Sequence, residues 1–159
     1  MKTKILSLLS IIFILSISGF GSEPALWEQK LNAQIDYQKK VADMLLKEAP
    51  ELEEIIVFSS DLQITMYEMK REKYLYLIKN YPGRIDPDKD LNFDWNDEDE
   101  NKLAQINKNY ASLKKKKEKL MIKNQGHPLL PDLREKFKSL RETEEYRKIY
   151  KGLLKIILR

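Results

Sequence analysis

Apolar residues recur along this chain at helical spacing, in blocks that proline and glycine separate. The four blocks cover residues 24–47, 51–80, 96–125 and 131–158. Within each block, apolar side chains fall three or four positions apart, which places them on one face of an α-helix. The pattern predicts an all-α fold, an antiparallel bundle of about four helices.

The third block has the most regular stripe. Its spacings alternate between three and four, and Lys117 is the one polar interruption. Such alternation is typical of a coiled-coil-like seam. The stripe that we expect to be buried consists of Leu103, Ile106, Tyr110, Leu113, Lys117 and Leu120.

The other blocks carry apolar stripes of the same kind. In the first block, Gln, Lys and Asp fill the opposite face, which predicts exposure to solvent. In the fourth block, residues 141–145 are polar, so we expect the helix to break there with Thr143 as a new N-cap. The predicted core residues are Trp27, Leu31, Ile35, Ala42 and Leu45, then Ile55, Phe58, Leu62, Met66 and Met69, then Leu133, Phe137, Leu140, Tyr146, Ile149, Tyr150, Leu153 and Ile157.

The first 21 residues have a different character. Lys2 and Lys4 precede an apolar stretch over residues 5–17, and Gly19 and Gly21 occupy positions −3 and −1 for cleavage before Ser22. The stretch is shorter than the roughly 20 residues that span a bilayer, although an uncleaved N-terminal anchor is the alternative. We therefore predict a signal peptide over 1–21 and a single helical domain over 22–159, exported to the periplasm or secreted.

Composition narrows the chemistry available to the exported chain. The sequence has no cysteine, so disulfides, thiol catalysis, thiolate metal sites and a lipid-modified cysteine are all excluded. The net charge of +4 includes Lys2 and Lys4, which leaves +2 after removal of the signal peptide. A charge this small, together with export, argues against nucleic acid as a partner.

Two basic segments lie in the second half of the chain. Residues 114–117 and 119 are all lysine, with no aromatic residues interleaved, which favours a solvated helix face over a nucleic-acid site. Residues 148–159 are basic and amphipathic, a pattern that fits a membrane-surface helix, a docking helix or the closing helix of a bundle. We favour the closing helix, with Leu153 and Ile157 in the core.

An acidic segment offers a candidate metal site. Its spacing resembles the calcium loop of EF-hand proteins, although Leu91 stands where that loop needs glycine and Asp97 replaces the bidentate glutamate. A solvated acidic loop before a helix N-terminus is the favoured interpretation. The candidate calcium ligands are Asp86, Asp88, Asp90, Asp94 and Asp97.

No motif of catalysis stands out. His127 is the sole histidine, and no glycine-rich phosphate loop is present. The sequence therefore favours a protein that acts by binding, or a structural component of the cell envelope, over an enzyme. We predict no cofactor, and expect an unidentified protein partner or self-association. A calcium-responsive module and a peripheral membrane protein that binds through residues 148–159 are the alternatives.

The export signal generates the first testable prediction. We expect the mature protein to begin at Ser22 or Gly19, because small residues precede both positions. N-terminal sequencing of exported material checks this. Exported material that still begins at Met1 would contradict a cleaved signal peptide.

Overall fold

The computed structural model describes residues 24–85 and 95–158, and within these ranges it contains six α-helices and no β-strand. The all-α prediction is confirmed. The predicted signal peptide lies outside the described residues and stays a prediction. The helices are α1 Pro24–Glu48, α2 Glu53–Asn80, α3 Asp97–Ile106, α4 Lys108–Gln125, α5 Leu130–Arg141 and α6 Glu144–Ile157.

Helices α1 and α2 form an antiparallel pair. A short 3-10 turn at Pro50–Leu52 connects them. At the opposite end, the rings of Trp27 and Tyr74 stack with their centroids 3.9 Å apart. Leu31 and Ile35 continue this apolar cluster along α1. The pair is therefore fixed by aromatic stacking at one end and by a tight connection at the other.

The remaining helices pack on the two outer sides of this pair. Helix α4 runs antiparallel to α2, because Asn124 near its end donates a 3.0 Å hydrogen bond to Ser59 while Asn107 at its start bonds to Glu72. Helix α6 packs against α1, and α5 contacts α1, α2 and α6. The largest apolar cluster lies between the second half of α1, the start of α2, α5 and α6.

The third block forms two helices instead of the single helix that we predicted. Asn107 adopts an extended conformation, and its side-chain oxygen accepts a 3.0 Å hydrogen bond from the backbone N–H of Tyr110, which makes it an N-cap. Its amide also donates a 2.6 Å bond to Glu72. Leu103, Tyr110, Leu113 and Leu120 are buried as predicted, whereas Ile106 at the break is 70% exposed, so its predicted burial was wrong.

The predicted break in the fourth block is confirmed. Thr143 caps α6 by accepting a hydrogen bond from the backbone N–H of Tyr146. Leu153 and Ile157 are buried, as expected for a closing helix. Ile149 and Tyr150 are half-buried and pack against the same core. In α2, by contrast, Met66 is exposed although its spacing predicted burial.

The polar side of α1 is only partly solvated, because Asp36, Lys39, Lys40, Asp43 and Lys47 are exposed as predicted but one row of polar residues is not. Lys30, Gln34 and Gln38, spaced four residues apart, are all buried, with Lys30 only 1% exposed. Gln38 hydrogen-bonds the hydroxyl of Tyr67 on α2. The prediction was wrong for this row alone, because α2 and α6 both pack against α1 and cover two of its sides.

The packing of α6 generates the second prediction. Leu153→Ala and Ile157→Ala should each lower the free energy of unfolding by about 2–5 kcal/mol, because each truncation leaves a cavity in the core. Lys151→Gln and Lys155→Gln are the controls and should change it by less than about 1 kcal/mol, since both lysines are exposed. Chemical denaturation of the four variants measures these differences. An unchanged unfolding free energy for both alanine variants would contradict the closing role of α6.

Candidate functional site

The structure describes little of the predicted calcium site. Asp86, Asp88, Asp90 and Asp94 lie outside the described residues, and Asp97 is an exposed residue in the first turn of α3. In residues 24–85 and 95–158, no three acidic or histidine side chains come together in a group that would hold a metal ion. Calcium binding stays a prediction.

His127 has a structural environment rather than a catalytic one. Its side chain is half-buried, its Nε2 lies 3.5 Å from Glu54, and its ring meets the Phe58 ring at a steep angle. Its Nδ1 accepts a hydrogen bond from the backbone N–H of Leu129. These contacts fix the chain between α4 and α5.

The two basic segments differ in how their helices are packed. Helix α6 uses its apolar stripe inside the protein, where Tyr146, Leu153 and Ile157 are buried. What it leaves at the surface is a row of lysines, Lys148, Lys151 and Lys155, behind two acidic residues in its first turn, Glu144 and Glu145. Among the described ranges, no helix is long and apolar enough to cross a membrane.

Helix α4 presents a larger and less mixed basic surface. Tyr110, Leu113, Leu120 and Asn124 are buried on its inner side. Glu118 is its sole acidic residue. Five lysines on the remaining positions are exposed, and we call them the lysine face: Lys108, Lys115, Lys116, Lys119 and Lys123.

The lysine face is extended and lacks counter-charges. From Lys108 to Lys123 it covers about 22 Å of helix, at 1.5 Å per residue. Within the part of the chain that the structure describes, no carboxylate forms a salt bridge with Lys115, Lys116 or Lys119. Lys123 lies 4.5 Å from the centroid of the Phe58 ring. Ile122, which is 75% exposed, interrupts the row of lysines with an apolar side chain.

A network around Glu100 holds α3 and α4 against α2. The carboxylate of Glu100 lies 3.0 Å from Lys73 Nζ, and Trp95 Nε1 donates a 2.9 Å hydrogen bond to it. Lys114 lies 3.8 Å away. The Lys73 ammonium also lies over the Trp95 ring, 4.8 Å from its centroid. The network thus joins Lys73 of α2, Trp95 two residues before α3, Glu100 of α3, and Lys114 of α4.

The network lowers the pKa of the Glu100 carboxyl group. Burial alone would raise its pKa, but the hydrogen bond from Trp95 and the ion pair with Lys73 lower it to about 2. A carboxylate with so low a pKa is a poor proton acceptor at neutral pH. Because Glu100 is saturated by donors from this chain, the cluster acts as a structural ion-pair network rather than as an acid–base site.

A neighbouring ion pair completes this end of the molecule. The Arg84 guanidinium donates to both carboxylate oxygens of Asp99, at 3.2 and 2.6 Å, and holds the pKa of Asp99 below its usual range. The sequence analysis did not predict the Lys73–Glu100 or the Arg84–Asp99 ion pair. The partners of each pair are distant along the chain, and each stands among other polar residues.

No model of a protein family, no curated protein and no solved structure matches this chain. Its function is therefore inferred from the residues and their geometry.

The Glu100 network generates the third prediction. Replacement of Glu100 by Gln should lower the unfolding free energy at neutral pH by about 1–3 kcal/mol, because Lys73 loses its carboxylate partner. The folded-state pKa lies below its ordinary value of 4.5, so the contribution is present above about pH 4.5 and is lost as pH falls towards 2. The difference between wild type and variant should therefore shrink over that interval.

Unfolding curves from about pH 7 to about pH 2 measure this effect. Glu98→Gln is the matched control, since Glu98 is exposed and pairs with Lys102 on the surface of the same helix. A Glu100 variant that differs from wild type by the same amount at every pH would contradict the predicted titration.

Proposed function

We propose that this protein is exported and acts by binding, as a peripheral protein that attaches to an anionic membrane surface through the lysine face of α4. The observation that carries the proposal is the grouping of five exposed lysines on one side of a helix that has a single acidic residue. The export signal that the sequence predicts over residues 1–21 is consistent with it, because export would place the chain beside such a surface.

The expected strength of attachment follows from the number of charges. A lysine close to an anionic membrane contributes about 1 kcal/mol, so the five together provide about 5 kcal/mol. That free energy corresponds to a dissociation constant between millimolar and micromolar. Attachment of this strength is reversible and weakens with salt, because the charges involved are exposed. Ile122 adds a small apolar contribution near the C-terminal end of the lysine face.

The lysine face fits this role better than residues 148–159 do. An amphipathic membrane helix must place its apolar side in the lipid, whereas Leu153 and Ile157 of α6 are buried in the protein. Its lysines also follow Glu144 and Glu145, which oppose attraction to an anionic surface. Attachment through α4 and attachment through α6 are thus two alternatives, and one experiment distinguishes them.

The fourth prediction compares two variants that remove equal charge. The first carries Lys115→Gln, Lys116→Gln and Lys119→Gln on α4, and the second carries Lys148→Gln, Lys151→Gln and Lys155→Gln on α6. Both sets of lysines are exposed, so neither variant should unfold. At about 1 kcal/mol per lysine, the α4 variant should bind anionic vesicles about 100-fold more weakly than wild type.

Sedimentation of the exported protein with vesicles of phosphatidylglycerol and phosphatidylcholine measures this binding. We expect binding to the mixed vesicles at low salt, little binding to pure phosphatidylcholine, and a small effect of the α6 variant. Loss of binding in the α6 variant alone would assign attachment to residues 148–159. No binding to anionic vesicles at low salt would contradict the proposed function.

A further inference from the structure

A groove between α1 and α6 is left open at the surface. It has a volume of about 510 Å³, and its lining includes apolar parts of Tyr37, Ile149 and Leu153. Four charged residues also line it, Asp36 and Lys40 from α1 and Glu145 and Lys148 from α6. Both helices therefore contribute apolar surface and one charge of each sign.

Gly152 lies in this groove, in the interior of α6. A glycine in a helix interior costs about 0.5–1 kcal/mol relative to alanine. A Cβ built on Gly152 would meet no atom within 4 Å, so no neighbour in the described chain requires the small residue. Its backbone is helical, so an unusual conformation does not explain it either. No contact within residues 24–85 and 95–158 accounts for the glycine, and its lack of a side chain leaves room for a second backbone to approach α6 at this point.

The charged residues around the groove indicate which kind of partner binds there. None of Asp36, Lys40, Glu145 and Lys148 forms a salt bridge within residues 24–85 and 95–158. A two-fold symmetric contact places the same surface on both sides, so it must be complementary to itself. Two acidic residues and two lysines satisfy this requirement, since the acidic residues of one copy can face the lysines of the other.

We propose that a second copy of this chain occupies the groove, with the two α6 helices crossing at Gly152. Ile149 of each copy contributes apolar contact, and the four charges pair across the two-fold axis. The lysine face remains free in this dimer, because α4 packs on α2 whereas α6 packs on α1. A contact built on two helices is small compared with the roughly 800 Å² per partner of stable interfaces, so we expect micromolar affinity.

The test uses sedimentation velocity of the exported protein from about 0.1 µM to about 100 µM, a range that brackets micromolar dissociation. Wild type should shift from monomer to dimer over this range. Gly152→Leu should raise the dimer dissociation constant at least tenfold, because its side chain fills the crossing point. Leucine is a good helix former, so the melting temperature should not fall. A wild type that stays monomeric throughout would overturn the proposal.

Two charge variants test the pairing itself. One carries Lys40→Glu with Lys148→Glu, so that its groove has acidic residues alone, and the other carries Asp36→Lys with Glu145→Lys, so that its groove has lysines alone. Each should stay monomeric by itself through like-charge repulsion, whereas an equimolar mixture should form a heterodimer. If either variant alone dimerises as wild type does, or the mixture fails to associate, the groove is not the contact that we propose.

Discussion

The antiparallel pairing of α1 with α2 is the contact on which the rest of the structure depends. Each of these helices gives one side to the other and a second side to a later helix, α6 for α1 and α4 for α2. Because the chain has no cysteine, packing and polar pairing must hold this arrangement. The buried Lys30, Gln34 and Gln38 show that this packing also covers part of the polar side of α1. Gln34 Oε1 and Gln38 Oε1 have no hydrogen-bond partner among the described residues, so their burial costs free energy that the apolar packing has to offset.

The fold could be predicted from the sequence wherever local signals decided the outcome. Helical periodicity located all four blocks, and the polar interruption before Tyr146 located the Thr143 cap. The failures have distant causes. The break at Asn107 is reinforced by Glu72, which precedes it by 35 residues, and the burial of the polar side of α1 requires cover from other helices. Neither cause is visible in a window of neighbouring residues.

The candidate surfaces depend even more on tertiary packing. The sequence presents residues 114–117 as a uniform run of lysines, but the docking of α4 divides them. Lys114 turns towards Glu100 and Lys117 is half-buried, whereas Lys115 and Lys116 remain exposed. The groove could not be predicted, because its two walls come from opposite ends of the described chain. The sequence alone does not indicate a contact at Gly152, since one glycine in an amphipathic helix is a weak signal.

The meeting of Tyr37 with Tyr146 has a consequence for when this protein can fold. Their hydroxyls share a buried hydrogen bond across a separation of 109 residues. Closing so long a stretch of chain costs conformational entropy that local helix formation does not repay, and contacts of high sequence separation slow folding. One side of α1 therefore stays uncovered until α6 has been synthesised. Until then Tyr37 and the other α1 residues of the largest apolar cluster lack the cover that α6 gives them in the folded protein.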